Sequence, residues 1–177
     1  MGMLVMEKAI PVFWRHGFAN TSPADLEAAT GVNRSGLYTE FRDKEDQFLA
    51  SLGHYIATSG VANILATEPL GWTNAEKYLK MGLACWSGQK GCFAVSAMRE
   101  LAILPPEARR IVEKSMKPIR RLLISNIEAE HTAMDASGVA DMAMAFFPGL
   151  SIEQNLATSM RSGLKRIETF MRLVRAL

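Results

Sequence analysis

The sequence has few of the residues from which covalent frameworks and catalytic sites are built. Its 177 residues include two cysteines, which are too few for a disulfide framework and fit a reducing compartment. The three histidines, His16, His54 and His131, lie far apart and share no metal-ligand or triad spacing. Glycine-rich phosphate loops and nucleophile elbows are also lacking. We therefore expect a protein that is not an enzyme and that carries no cofactor or bound metal.

Long hydrophobic runs are missing as well. The longest apolar stretch covers residues 142–150 and contains Pro148, so it is far shorter than the roughly 20 residues of a membrane-spanning helix. The apolar start at residues 1–5 is too short for a signal peptide. We expect a cytoplasmic protein that does not enter a membrane.

Sustained alternation of apolar and polar residues is absent, and the hydrophobic positions recur with helical spacing. This pattern predicts an all-α protein with about nine helices. The first covers residues 3–16, with Pro11 expected to weaken or kink it before Gly17 ends it, and Pro118 is expected to interrupt a later helix. Beyond residue 42 the predicted helices cover about residues 43–66, 74–86, 93–104, 106–131, 139–157 and 161–176.

Residues 22–31 carry the signals of a short capped helix. Ser22 is a favoured N-cap residue, Pro23 suits the first helical turn, and Asp25 follows three residues after the cap. Gly31 can adopt the left-handed conformation that commonly ends a helix. The stretch therefore predicts a helix that ends in a tight turn.

A second short helix follows this turn. Asn33 can cap it, and Leu37 and Phe41 lie four residues apart on the face that would point to a core. Two capped helices joined by a tight turn are typical of a DNA-binding unit. The second helix, with polar and aromatic residues facing outward, is suited to enter the DNA major groove. The outward residues are Arg34, Ser35, Tyr38 and Thr39.

This stretch resembles the DNA-binding domain of the TetR family of bacterial transcriptional regulators. The resemblance covers about 45 residues and includes the whole Leu-Tyr-x-x-Phe-x-x-Lys-Glu run of the family. The chain departs from the family at Glu40, where many members carry a basic residue or histidine, and in its short N-terminal arm. The matching residues are Phe13, Gly17, Phe18, Thr21, Ser22, Leu26, Ala29, Gly31, Val32, Ser35, Gly36, Leu37, Tyr38, Phe41, Lys44 and Glu45.

The resemblance implies a division of the chain and a function. Residues 1–47 would form a three-helix, helix-turn-helix DNA-binding domain, and residues 48–177 a helical domain for effector binding and dimerisation. The implied protein is a ligand-responsive regulator, most often a repressor, that binds a palindromic DNA operator as a homodimer. A ligand would act by favouring a different spacing of the two DNA-reading helices, which requires different affinities for the two states.

Within this interpretation, individual residues have expected roles on DNA. Arg34 and Ser35 lie in the first turn of the reading helix, and Arg34 is suited to a two-pronged contact with guanine. Thr21, Tyr38 and Lys44 are expected to contact phosphates, which positions the protein without reading sequence. The complete predicted DNA-binding set is Thr21, Ser22, Arg34, Ser35, Tyr38, Thr39 and Lys44.

The charge of the predicted DNA-binding region leaves an alternative function open. The net charge is +2, but residues 1–52 carry five basic and seven acidic side chains, a balance of −2, whereas DNA-binding units usually have a basic surface. A helical small-molecule or metal-binding protein that has lost DNA binding would account for this balance. A thiol-active enzyme is a third reading. The basic cluster around residues 109–121 is expected to be a solvated helix face.

An effector pocket is predicted among the helices between residues 74 and 127. Binding sites are mostly apolar with a few polar groups, and eleven methionines suit an adaptable cavity, although they also suit ordinary core packing. Cys85 and Cys92 fit either a soft-metal or redox site or two buried thiols. The predicted lining residues are Trp72, Met81, Cys85, Trp86, Phe93, Ser96, Met98, Arg99 and Met116.

The last two helices carry more apolar surface than a small domain needs. Exposed on a monomer, this surface would form a patch of the kind that marks a protein interface. In the family such a helix pair meets its symmetry mate as a four-helix bundle, so the resemblance implies a two-fold homodimer in which the same patch faces itself. The residues concerned are Met142, Met144, Phe146, Phe147, Leu150, Leu164, Phe170 and Met171.

Overall fold

Helices dominate the structure, a computed structural model that describes residues 2–86 and 88–176, without the side chains of Cys85 and Trp86. The predicted all-α class is confirmed, with one two-stranded hairpin, β1–β2, among the described residues. The elements are α1 (Gly2–Asn20), α2 (Pro23–Thr30), α3 (Arg34–Glu40), α4 (Lys44–Thr58), α5 (Val61–Leu65), α6 (Trp72–Met81), β1 (Cys85–Trp86), β2 (Gln89–Lys90), α7 (Phe93–Met98), α8 (Pro106–Glu128), α9 (Ala136–Gln154) and α10 (Arg161–Ala176).

Helix boundaries differ from the predicted ones mainly where glycines intervene. The helix predicted over residues 43–66 divides into α4 and α5 at Gly60, whose φ of 74° no continuous right-handed helix contains. The helix predicted over 74–86 ends at Met81, and the chain turns into the β1–β2 hairpin, which the Gly91 N–H closes by donating to the Ala84 carbonyl at 2.9 Å. Pro118 does not interrupt α8, contrary to the prediction.

One compact unit comprises residues 2–59, 88–89 and 93–114. Its core centres on Phe48 of α4, whose ring makes edge-to-face contacts with Phe13 at 5.1 Å, Phe18 at 5.2 Å and Phe93 at 5.7 Å between centroids. Trp14 also stacks on Phe93 at 6.0 Å. Aromatic pairs in such geometries stabilise a core beyond the area they bury. The cluster therefore joins α1, α4 and α7.

The other unit comprises residues 60–86, 90–92 and 115–176. Tyr78 of α6 stacks on Phe147 of α9 at 4.8 Å, and burial raises the pKa of the Tyr78 hydroxyl. The fully buried Asn126 of α8 accepts hydrogen bonds from the Gly71 N–H and the Asn74 amide, both at 2.9 Å. Its own amide donates to the Leu65 carbonyl at 2.7 Å. Asn126 thereby holds the chain between α5 and α6 against α8.

These units do not follow the functional division predicted at residues 47 and 48. The first contains α4 and α7 together with α1, α2 and α3, because the aromatic cluster around Phe48 joins them. Residues 93–100, which the sequence placed in the effector domain, therefore pack in the same unit as the predicted DNA-binding helices. The functional division itself stays a proposal.

The stretch Lys44–Leu65 is long enough, and with a mean hydropathy of 1.2 apolar enough, to cross a membrane. The helix is not continuous, however, since it breaks at Gly60. Phe48 and Leu52, two of its large apolar residues, are at most 1% exposed. Phe48 and Leu52 thus belong to a protein core.

A junction at the end of α1 joins several elements of the first unit. Gly17 has a φ of 76°, which turns the chain before the last residues of α1. The carboxylate of Glu100, which follows α7, accepts a hydrogen bond from the Phe18 N–H at 2.7 Å. The Lys44 ammonium donates to the Phe18 carbonyl at 2.9 Å and to the Thr21 carbonyl at 3.0 Å. We call Gly17, Phe18, Thr21, Lys44 and Glu100 the α1 junction.

We expect Glu100→Ala to destabilise the protein, because it leaves the partly buried Phe18 N–H without a partner. An unpaired buried donor costs about 1–3 kcal/mol, and each kcal/mol lowers the Tm of a protein of this size by roughly 2–4 °C. Thermal unfolding would measure the change. The control Glu107→Ala removes only an exposed ion pair with Arg110, and its Tm should change by no more than about 2 °C. Equal Tm values for the two variants would contradict the proposed junction.

A second stability prediction concerns Ser51 of α4. Its hydroxyl is completely buried and has no hydrogen-bond partner among the residues that the structure describes. Unfolding would return this hydroxyl to water, where it can form hydrogen bonds. We expect Ser51→Ala to raise the free energy of unfolding by about 1 kcal/mol, measured by chemical denaturation. The exposed Ser35 offers a matched control, since Ser35→Ala should change it by less than about 0.5 kcal/mol. Destabilisation by Ser51→Ala would show that the hydroxyl has a partner or packs well.

Candidate nucleic-acid interface

The cap of α2 has the geometry that its sequence predicts. The Asp25 N–H donates to the Ser22 hydroxyl at 3.2 Å, and the Ser22 N–H donates back to the Asp25 carboxylate at 2.8 Å. The Ser22 hydroxyl also donates to this carboxylate at 2.6 Å, and these hydrogen bonds hold the pKa of Asp25 below its ordinary value. Gly31 ends the helix with a φ of 72°. Ser22 is exposed but engaged in this capping box, so its first role is to fix the start of α2.

The start of α3 is fixed in the same way. The Asn33 side chain accepts a hydrogen bond from the Gly36 N–H at 2.8 Å. A Cβ on Gly36 would lie 2.7 Å from a methyl group of Val32, so the turn before α3 is closely packed. Leu37 and Phe41 are buried, as predicted. Both ends of the helix are therefore held by local contacts and by the core.

The opposite face of α3 is open to solvent. Arg34, Ser35, Tyr38 and Thr39 are all exposed, which is the placement that base or phosphate contact requires. The Arg34 guanidinium lies 5.4 Å from the centre of the Tyr38 ring, and its Nε and Nη2 are each 3.3 Å from the Tyr38 hydroxyl. The Thr39 hydroxyl donates to the Ser35 carbonyl at 3.0 Å. The structure thus brings these four predicted residues onto one surface, which we call the α3 face.

Two predicted phosphate contacts are corrected by the structure. Thr21 is only 1% exposed, and its hydroxyl donates to the Gly17 carbonyl at 2.6 Å, so it faces the α1 junction. Lys44 is partly buried, and its ammonium is used by the Phe18 and Thr21 carbonyls and lies 4.4 Å from the centre of the Phe18 ring. Lys44 therefore holds the end of α1 against the start of α4, while the Thr21 side chain bonds back to α1. The sequence did not reveal the two carbonyls that Lys44 binds, because they lie 26 and 23 residues away from it along the chain.

Several acidic residues near the α3 face are used in local structure. Asp25 belongs to the capping box, and Asp43 caps α4 by accepting from the Asp46 N–H at 2.8 Å. Asp46 pairs with Arg42 at 3.2 Å, and the Arg42 guanidinium lowers the pKa of Asp46. Glu40 is exposed at the end of α3. The negative balance of residues 1–52 thus comes partly from carboxylates that fix the helices.

The predicted effector-lining residues are divided between the two units. Phe93, Ser96, Met98 and Arg99 belong to the first unit, where Phe93 is 1% exposed within the aromatic cluster. Trp72, Met81 and Met116 belong to the second, with Trp72 and Met81 at opposite ends of α6. Cys85 and Trp86 lie outside the part of the chain whose side chains are described. Phe93 is therefore corrected to a core residue, and the remaining assignments stay predictions.

A cavity of about 310 Å³ opens in the second unit, where α9 ends and α10 begins. None of the predicted effector residues lines it. We call it the corner cavity. Its lining residues are Leu83, Leu150, Glu153, Gln154, Leu156, Ala157, Ser162, Gly163 and Arg166.

The outer face of α9 and α10 is apolar and exposed. Met142 and Phe146 of α9 lie one turn apart, and Phe146 stacks on Phe170 of α10 at 5.0 Å. Met142 is 45% exposed and Leu173 is 60% exposed. We call these four residues, with the exposed Gly149 of α9, the α9–α10 face. In contrast, Phe147, Leu150 and Met171, which the sequence also assigned to the interface, are buried within the unit.

Comparison with known proteins agrees with this geometry. Residues 5–50, which span α1–α3 and the first part of α4, match the family model described as bacterial regulatory proteins, tetR family. The HTH-type transcriptional repressor ComR of Escherichia coli K12 is 26% identical over 95% of this chain and 86% of its own length. The repressor BdcR of the same organism is 27% identical over 86% of this chain and 82% of its own length.

Solved structures show the same fold. The reduced form of NemR from E. coli superposes with a TM-score of 0.82 at 18% identity, over 98% of this chain and 96% of that one. A cysteine variant of the TetR-family regulator CifR, solved with a 26-base-pair operator DNA, has a TM-score of 0.77 at 22% identity, over 96% and 95% of the two chains. Residues 5–50 of the chain thus belong to the tetR family of bacterial regulatory proteins, and the chain is a DNA-binding transcriptional regulator.

Proposed function

We propose that this protein is a ligand-responsive repressor that binds a palindromic operator as a homodimer. The observation that carries the proposal is the α3 face, on which exposed Arg34, Ser35, Tyr38 and Thr39 lie together on a helix that is capped and backed by buried Leu37. A short helix of this kind fits the major groove, and its first turn is where reading helices reach base edges. The repressor names of two relatives support the sign of regulation.

The homodimer is supported by the α9–α10 face. A two-fold interface places the same patch on both subunits, and exposed aromatic and methionine side chains are enriched in such interfaces. Dimerisation would present two α3 helices to two half-sites of a palindrome, about one DNA turn or a small multiple apart. An effector that binds more tightly to the dimer with one spacing of these helices would shift the population between DNA-bound and DNA-free states.

The alternative function is a helical ligand-binding protein that no longer binds DNA. It is favoured by the small number of available cations near the α3 face, because Lys44 is bound within the α1 junction and Arg42 is paired with Asp46. Few neutralised phosphates imply weak and only moderately salt-dependent DNA binding. Retained ligand binding without any duplex binding would support this alternative.

Arg34→Ala is expected to relax base specificity. A two-pronged arginine–guanine contact discriminates by about 1–3 kcal/mol, so the preference for one base at a single position should be lost. The measurement is a titration of duplexes that differ at one position at a time, chosen from sequences selected for binding. Equal losses on every duplex would remove Arg34 from base readout.

Lys44→Met provides a contrasting variant in the same titrations. Because the Lys44 ammonium binds two backbone carbonyls, its removal should lower the Tm while the slope of binding against salt concentration stays unchanged. A true phosphate contact would instead reduce the slope by about one. A flattened salt dependence with an unchanged Tm would therefore restore the phosphate role that the sequence suggested.

Gly149→Lys is expected to convert the dimer to a folded monomer. No atom lies within 4 Å of a Cβ at Gly149, so the side chain fits within one chain but would enter the dimer interface. Gly53→Lys in α4 is the matched control, since this helical glycine also has open space around it. Sedimentation equilibrium should show a monomer for Gly149→Lys and a dimer for the control. A wild-type monomer at micromolar concentration, or a dimer that tolerates Gly149→Lys, would contradict the proposed interface.

A further inference from the structure

The corner cavity has walls that are fixed by close packing and a hydrogen bond. A Cβ on Gly163 would lie 2.4 Å from a methyl group of Leu83, so the first turn of α10 packs directly on the chain that follows α6. The Lys90 ammonium donates to the carbonyl of Ala157 at 2.7 Å and so holds the segment between α9 and α10. The cavity therefore belongs to the packed arrangement of these elements.

Most of the cavity surface is apolar, with one buried polar group. Leu83 and Leu150 are each 2% exposed and form its inner wall. Gln154 also lines the cavity and is 5% exposed. A side-chain amide in an otherwise apolar wall can donate a hydrogen bond to a polar group of a bound molecule. Ligand sites commonly combine an apolar wall with a few such polar groups.

Charged groups at the edge of the cavity are mainly basic. Arg166 forms an ion pair with Glu153, and both side chains are about half exposed. A half-exposed ion pair contributes little to stability, so Arg166 is able to exchange its partner. The Lys90 ammonium adds a second positive charge at the Ala157 carbonyl, which gives these three side chains a net charge of +1. An anionic group is the ligand feature that this edge would favour.

We propose that the corner cavity binds a small apolar carboxylic acid. The hydrocarbon part would lie against Leu83 and Leu150, while the carboxylate would accept hydrogen bonds from the Gln154 amide and from Arg166. At about 30 Å³ for each water-sized group, a cavity of 310 Å³ accommodates about ten non-hydrogen atoms. The inference rests on the proposed function in one respect, because it names the class of effector and places it away from the lining residues that the sequence suggested.

The test uses octanoate and octanamide, two probes of the same size that differ in charge. Isothermal titration of the full chain should show octanoate binding about tenfold more tightly than octanamide. Arg166→Gln should abolish this preference, while Glu153→Gln, which removes a competing carboxylate, should strengthen octanoate binding. Gln154→Leu should weaken both probes. Lys165→Gln is the matched control, because Lys165 is a nearby exposed cation of α10 that does not line the cavity, and it should leave both affinities within about twofold.

A second variant keeps the test decisive if Gln154→Leu fails to fold. Ala157→Trp places a large side chain at the wall of the cavity and should remove binding of both probes without changing the circular dichroism spectrum. Absence of octanoate binding to the wild type would overturn the proposal. So would equal affinity for the two probes, or octanoate binding that Ala157→Trp and Arg166→Gln leave unchanged.

Binding of operator DNA is measured separately, so that the two proposals fail independently. If the protein binds duplex DNA and not octanoate, the corner-cavity inference is wrong and the DNA-binding function stands. If it binds octanoate through Gln154 and Arg166 and no duplex DNA, the inference stands and the repressor function is wrong. An effector role further predicts that saturating octanoate changes the affinity for DNA, and that Ala157→Trp removes this effect.

Discussion

The α1 junction is the contact on which the presentation of α3 depends. Gly17 turns the chain with a φ of 76°, a conformation that strains any larger residue, and a Cβ there would also displace the Glu100 carboxylate. The Glu100 carboxylate accepts a hydrogen bond from the Phe18 N–H, and the Lys44 ammonium donates to the Phe18 and Thr21 carbonyls. The end of α1 is thereby joined to α4 and to the segment after α7, and α2 begins at Pro23, immediately after this junction.

Local capping fixes the two helices that follow the α1 junction. The capping box at Ser22 and the Asn33 cap set the starts of α2 and α3, and burial of Leu37 holds α3 against the core. On the α3 face, Arg34 contacts Tyr38 and the Thr39 hydroxyl donates to the Ser35 carbonyl, so both contacts are local to α3. Local structure also accounts for part of the negative charge of residues 1–52, because Asp25, Asp43 and Asp46 stabilise helix starts and turns. DNA binding should accordingly depend more on shape and base contacts than on a strong positive field.

The features that sequence predicted well are those set by neighbouring residues. The caps, the left-handed Gly31 and the exposed Arg34, Ser35, Tyr38 and Thr39 all follow from residues within one or two turns. The features it missed depend on distant partners. Nothing in the spacing of Lys44 reveals the carbonyls it binds, and the position of Phe93 in the aromatic cluster requires knowledge of how α7 packs. The corner cavity was missed for the same reason, since its lining joins Leu83 to residues 150–166.

In the proposed function, the α3 face reads a specific DNA sequence as part of a two-fold dimer. The most direct test is selection of bound duplexes from a random DNA library by the purified protein at low salt, followed by sequencing. We expect enrichment of a palindrome whose half-site centres lie about one DNA turn or a small multiple apart. Each half-site should contain a guanine whose selection disappears with Arg34→Ala. Uniform recovery of all sequences, or an enriched site without two-fold symmetry, would contradict it.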